Sequence, residues 1–278
     1  MSDARPNTEG NRRRTPWPLA VVAVLFVVVP FLTWYWTWFG RSLSDEEIGK
    51  YLSEDRPRHA QHALSQIAER FEKSDAEAGR WNAQVVATAS SPSPDVRMTA
   101  AWAMGAEHKS EEFRAALLRL AEDPEPIVRR NAALALVRFG DPRCRPELLA
   151  MLRPYTVVAP SEGTAETALT AGSYVKRDSL LVRFKFKPNI VEEIRSPLPG
   201  VIEKALVKDG DNWHVGAELF VLAPDDEQAR DALIGLRYFG EAEDLPEVER
   251  FASGAKSGGL KWEAAQTAEA IRRRSAGK

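Results

Sequence analysis

The chain has 278 residues, 28% of them charged, with a formal net charge of -2. That length accommodates an anchor and two compact regions with separate cores, while the intermixed, near-neutral charge excludes the clustered basic surface that nucleic acid requires. A single cysteine, Cys144, excludes an intramolecular disulfide and a cysteine-based metal cluster, and it is expected to act as a small hydrophobe at a helix-packing position.

No charged residue occurs from Thr15 to Gly40, and the run LAVVAVLFVVVPFL is almost purely aliphatic. Such a run predicts one transmembrane helix over 16–40, with Trp17 at one interface and Trp34, Trp36 and Trp38 at the other. Its length, and the lack of a small-residue cleavage site in TWYWTWFG, argue against a cleaved signal peptide. Arg5, Arg12, Arg13 and Arg14 precede the run, and the mainly acidic SLSDEEIGKYLSED follows it. By the positive-inside rule the tail 1–15 is then cytoplasmic. The expected location is the bacterial inner membrane, single-pass, with the bulk of the chain periplasmic.

Beyond the anchor the sequence repeats. SSPSPDVRMTAAWAMG aligns with AEDPEPIVRRNAALALVRFG at an offset of 32, placing Pro92 on Pro124, Val96 on Val128, Arg97 on Arg129 and Ala101 on Ala133. A fixed period of this size predicts stacked helix pairs, neither of which buries its apolar face alone. Phe113, Ala116, Leu117 and Leu120 form one helical stripe, and the following Asp-Pro ends that helix. Ser44 to Phe71 reads as a degenerate first pair, with Ser44 and Glu47 in capping-box spacing.

EEFRAALLRLAEDPEPIVRRNAALALVRFGD resembles a HEAT repeat of the short bacterial kind labelled HEAT-like after phycobilin lyases: an A helix, a D-P turn, V-R, an alanine-rich B helix and a closing G-D. The pattern is clearest over Asn82 to Gly105 and Glu111 to Gly140. PELLAMLRP resembles a third A helix, but its B helix, DDEQARDALIGLRYFG, comes only at 225–240, with Leu236 and Gly240 at an offset of 100 from Leu136 and Gly140. A final pair is expected over Leu245 to Ser253 and Leu260 to Arg273, joined by GAKSGG and ending in the solvated Arg272, Arg273 and Arg274.

The interruption is itself duplicated. At offsets of 37 to 38, Pro160 falls on Pro197, Gly163 on Gly200, Leu169 on Leu206, Gly172 on Gly210 and Leu181 on Leu219. Each half reads as short alternating strands between glycine turns. Together the halves resemble the biotinyl/lipoyl-type barrel-sandwich hybrid, with its P-x-x-G-x-V start and G-D-x-V-x-x-G-x-x-L finish. That resemblance implies a carrier role if biotin or lipoate were joined to a hairpin lysine, here Lys185 or Lys187. Carrier hairpins present Met-Lys-Met or Asp-Lys-Ala at a fixed distance before the second proline, a place that falls near Asn189, so neither cofactor is expected. The same barrel occurs in membrane-fusion adaptors of export pumps, but those carry a long helical hairpin between the halves where this chain has a short KPN turn.

The expected organisation is therefore mainly α: tail 1–15, transmembrane helix 16–40, HEAT-like solenoid 44–153, all-β barrel-sandwich insert 154–224, resumed repeats 225–274 and tail 275–278. His59 and His62 are three apart with no ligand set beside them, and His108 and His214 stand alone, so no metal is expected. No catalytic residue is assigned and no enzymatic activity is expected, because repeats of this kind are scaffolds. The expected function is a membrane-anchored interaction scaffold, an accessory or assembly subunit of a membrane protein complex. A periplasmic adaptor-like transport component and a membrane-tethered biotin or lipoate carrier are the alternatives. Expected partners are membrane or periplasmic proteins and the bilayer, not nucleic acid. Candidate partner-binding residues are Phe184, Lys185, Phe186 and Lys187 on the hairpin and the repeat arginines Arg97, Arg129 and Arg130.

Overall fold

The computed structural model describes residues 21–22, 24–31, 42–187 and 190–277. The chain divides into two units, Met1–Ser44 and Asp45–Lys278. In the first, residues 21–22 and 24–31 are helical. Among the described residues no helix is long and apolar enough to cross a membrane. This overturns the placement in the bacterial inner membrane, with a cytoplasmic N-terminus and a periplasmic bulk. The remainder of the expected span 16–40, including Trp17, Trp34, Trp36 and Trp38, lies outside the described residues.

The second unit is mainly helical, with two small antiparallel sheets. Its first seven helices are α1 (Asp45–Ser53), α2 (Pro57–Glu72), α3 (Asn82–Thr88), α4 (Pro94–Ala106), α5 (Glu111–Leu120), α6 (Pro126–Arg138) and α7 (Arg145–Met151). Pro57, Pro94 and Pro126 each open a helix, where the missing N–H is no loss and φ is already helical. Ser110 caps α5 by accepting from the Phe113 N–H at 3.3 Å. Phe113, Ala116, Leu117 and Leu120 are buried together on α5, and alanines 100, 101, 132 and 133 are buried on α4 and α6. Small residues set the spacing: a Cβ on Gly105 would lie 2.9 Å from Ala135 Cβ and 3.2 Å from its Cα, so the two helices approach to a distance that only glycine permits.

Eight strands separate α7 from α8 (Asp226–Phe239): β1 (Tyr155–Val158), β2 (Gly163–Ala168), β3 (Tyr174–Val175), β4 (Leu180–Lys187), β5 (Ile190–Arg195), β6 (Gly200–Ala205), β7 (Asn212–Trp213) and β8 (Glu218–Leu222). One sheet has the order β1-β8-β6-β3 and the other β5-β4-β2-β7. Exchanging β1 with β5, β2 with β6, β3 with β7 and β4 with β8 converts one order into the other. The hydrogen bonds between loops and strands obey the same exchange. Ala159 N–H donates to Ala217 O while Gly216 N–H donates to Ala159 O; at the equivalent place Ser196 N–H donates to Ser179 O while Asp178 N–H donates to Ser196 O, all at 2.8 Å. The two halves are thus related by a pseudo-two-fold.

Despite the interruption, α7 packs on α8: a Cβ on Gly235 would lie 2.8 Å from Leu148 Cδ1 and 2.9 Å from Val137 Cγ2. The array ends in α9 (Leu245–Gly254) and α10 (Gly258–Ala276). Here the helix starts two residues earlier than the GAKSGG linker suggests, because Gly258 and Gly259 form its first turn. Arg145 secures the connection, with Nη1 at 2.6 Å from Glu241 Oε2, Nη2 at 2.6 Å from Glu243 Oε1 and Nε at 3.2 Å from Asp244 Oδ2.

Candidate partner-binding site

In the pseudo-two-fold, the hairpin β4–β5 is the counterpart of the pair β8–β1. The latter is joined to the helical array at both ends, through Pro154 and Pro224. The former is longer, eight and six residues against five and four, and its last described pair is Lys187 with Ile190. Arg183 lies opposite Glu193, Phe184 opposite Glu192, Lys185 opposite Val191 and Lys187 opposite Ile190. Strand alternation therefore sends Arg183, Lys185 and Lys187 outward and Phe184 inward.

Phe184 is 1% exposed, its ring centroid 5.2 Å from that of Trp213, and both rings lie over Gly163, where any side chain would overlap Phe184. This corrects the expectation that Phe184 is offered to a partner: every second residue of a half-buried strand belongs to the core, and Phe184 has that parity. Phe186 is half-buried, with Lys187 Nζ 4.8 Å from its ring centroid. Lys185 Nζ lies 3.3 Å from Glu166 Oε1. Glu193 accepts from Arg183, and then from Arg195, which together hold its carboxyl below the usual range. Of the four hairpin candidates, Lys185, Phe186 and Lys187 are therefore the ones that are not buried.

The repeat arginines make bonds within the array. Arg97 Nη1 donates to the carbonyls of Ser91 and Pro92 at 2.8 and 3.2 Å, and Arg129 Nη1 donates to those of Asp123 and Pro124 at 2.7 and 3.0 Å. Each side chain closes its own inter-helix turn in the same way, 32 residues apart, and then reaches a carboxylate of the next repeat. Arg97 meets Asp123, and Arg129 Nε lies 3.2 Å from Glu147 Oε2. Burial alone would raise the Asp123 carboxyl, but its bonds from Arg97 and the Glu125 N–H outweigh burial and hold it low. For Glu147 burial wins over Arg129 and Arg130, and its carboxyl is raised.

Arg130 is only 4% exposed and donates through Nη1 to Gln228 Oε1. Its Nε has no hydrogen-bond acceptor among the described residues and stands 3.8 Å from Glu147 Oε1. Burial lowers this guanidinium to about 10, against the attraction of Glu147. The arginines brace the array, and Arg130 is inside it, so it is withdrawn from the set of exposed partner contacts.

The histidines do not converge. His59 Nδ1 is 2.6 Å from Glu54 Oε2 and stacks on Tyr51 at 4.2 Å, whereas His62 Nε2 lies 3.2 Å from Gln66 Nε2. Among the described residues no group of three or more His, Cys, Asp or Glu is placed to hold a metal ion. Two features have no local signal in the sequence. Arg177, in the β3–β4 turn, forms an ion pair with Asp95 in the first turn of α4 and so ties the insert to a helix 82 residues earlier. The second is a row of apolar side chains left partly or fully exposed on α4, α6 and α8; only its period of 32 and 100 is visible in the chain.

A search of curated proteins finds no match. Among solved structures, the chain is similar to one described as the complex of CpcE and CpcF of phycocyanin lyase from Nostoc sp. PCC7120. The identity is 14% and the TM-score 0.48, over 84% of this chain and 67% of that one. Residues 82–159 match the family model of HEAT repeats, which covers α3 to α7 and the turns that Arg97 and Arg129 close.

Proposed function

We propose that this chain is a protein-interaction scaffold, an accessory or assembly subunit without catalytic activity of its own, whose insert is of the barrel-sandwich kind. The observation that carries this reading is the asymmetry of the pseudo-two-fold. One end of the insert is fixed to the repeats by β1, β8 and the Arg177–Asp95 pair, and the equivalent end projects as an eight-residue and a six-residue strand. HEAT repeats over 82–159 supply the support, since stacked helix pairs present an extended surface suited to holding other proteins. Lys185, Phe186 and Lys187 are then contact residues at the tip.

The test is quantitative mass spectrometry of the tagged full-length chain purified from its native source. A defined set of proteins at near-equal abundance is the expected result, diminished by the double substitution Phe186→Ala, Lys187→Ala. Recovery of the chain alone, under gentle and cross-linked conditions, refutes the scaffold.

A further inference from the structure

The second helices of three successive repeats present one coherent face. Trp102 on α4, Leu134 on α6 and Ile234 on α8 hold equivalent positions, by the offsets of 32 and 100 that relate Ala101 to Ala133 and Leu136 to Leu236. One helical turn further on, Arg138 and Tyr238 are equivalent to each other and lie on the same side. Trp102 is 43% exposed, Ile234 37% and Tyr238 64%, and Leu134 between them is half-buried. All three equivalent positions therefore carry a large apolar side chain that the core does not fully cover. The three helices are contiguous. Arg138 Cδ lies 3.9 Å from the point where a Cβ on Gly105 of α4 would stand, and Val137 meets α8 at Gly235.

Arg138 is the informative member. Arg97, Arg114, Arg129, Arg143 and Arg145 each have a carboxylate within ion-pair reach. Arg138 is exposed, and among the described residues its side chain makes no hydrogen bond or ion pair. Its helix, α6, lies between those that carry Trp102 and Tyr238, and tryptophan, tyrosine and arginine are the residue types that dominate the energetics of protein interfaces. About two helical turns from Tyr238 toward the N-terminal edge, α8 carries Asp231 and, beside it, Arg230, so that edge is mixed in charge, whereas the Arg138–Tyr238 edge is cationic and aromatic.

We propose that this face docks a segment of a partner protein in which carboxylates are interspersed with large apolar side chains, one carboxylate pairing with Arg138 between Trp102 and Tyr238. The proposal rests on the scaffold reading and names the surface and chemistry through which it acts. A guanidinium left without a counter-charge on an apolar, partly aromatic face is complementary to an acidic group carried on an apolar stem. A basic segment would meet Arg138 with repulsion.

The test selects short random peptides displayed on phage against the immobilised full-length chain. Peptides combining Glu or Asp with Leu, Phe or Trp are expected to be enriched. Their binding should fall at least about tenfold with Arg138→Glu, Trp102→Ala or Tyr238→Ala. Lysine-for-glutamate versions of the same peptides should bind Arg138→Glu better than the parent chain. Far-ultraviolet dichroism and unfolding of each variant must match the parent. Enrichment without acidic bias, or equal binding to Arg138→Glu, overturns the proposal. If proteins that co-purify with the parent persist with the variant combining Arg138→Glu, Trp102→Ala and Tyr238→Ala, the scaffold stands and this face is refuted; if none co-purify with the parent, the scaffold itself falls.

Discussion

Arg97 grips both carboxylate oxygens of Asp123, Nε to Oδ2 at 2.7 Å and Nη2 to Oδ1 at 2.9 Å, across 26 residues of sequence. The same Asp123 Oδ1 accepts from the Glu125 N–H at 2.9 Å, at the entry to α6. One carboxylate therefore starts a helix and receives the arginine of the preceding repeat. Replacing Arg97 by Ala leaves a buried charge without its partner, and a loss of about 3 kcal/mol is expected. Replacing Asp123 by Asn keeps the turn but weakens the pair and should cost less. Urea denaturation of both variants checks the order.

Acid sensitivity follows from the same turns. Asp141 is held well below the ordinary carboxylate range, chiefly by Arg143 and, against burial, by Arg114, and Asp123 is also lowered. A carboxyl whose folded pKa lies below its unfolded value of about 3.9 contributes stability that is complete above that value. The contribution disappears as pH falls through the folded pKa. Unfolding free energy should therefore decline below about pH 4, each such carboxylate adding a slope of up to about 1.4 kcal/mol per pH unit. Asp141→Asn should flatten the decline and lower the plateau.

Gly105→Ala sets two effects against each other. In a helix interior alanine gains about 1 kcal/mol over glycine. Here its methyl would meet Ala135 Cβ at 2.9 Å and the Ala135 backbone at 3.2 Å, so α4 and α6 must separate. Overpacking of this kind costs about 1–3 kcal/mol, and a net destabilisation is expected in thermal unfolding.

At the hairpin, core and tip should separate cleanly. Phe184→Ala removes a ring packed on Trp213 and should cost about 3–5 kcal/mol. Lys187→Ala lies on the exposed side and should change stability by no more than about 0.5 kcal/mol. If partner binding is lost in Lys187→Ala while unfolding is unchanged, the tip contacts the partner; if only Phe184→Ala affects binding, the hairpin acts through folding.

Much of the helical region is legible in the chain because its causes are local. Proline at the first position, apolar residues three and four apart, and a period of 32 locate α4, α5 and α6 within a residue or two. The parity that buries Phe184 is also present in VRFKFK, but which parity faces inward is settled only by Trp213, 29 residues away. The apolar N-terminal run illustrates the opposite risk: composition over 15–40 suggests a membrane span, and no described helix has the length for one.

By itself the sequence determined the repeat unit, the duplication within the β-rich segment and the residue types at each turn, since these depend on neighbours a few positions apart. Tertiary structure alone decided which charges are paired and which are left free. Arg145 reaches Glu243 across 98 residues and Arg177 reaches Asp95 across 82, whereas Arg138 reaches no carboxylate among the described residues. An ion pair needs its two ends within a few ångströms, and for residues so far apart in the chain only the packing of the helices with one another and with the insert brings them there or keeps them apart.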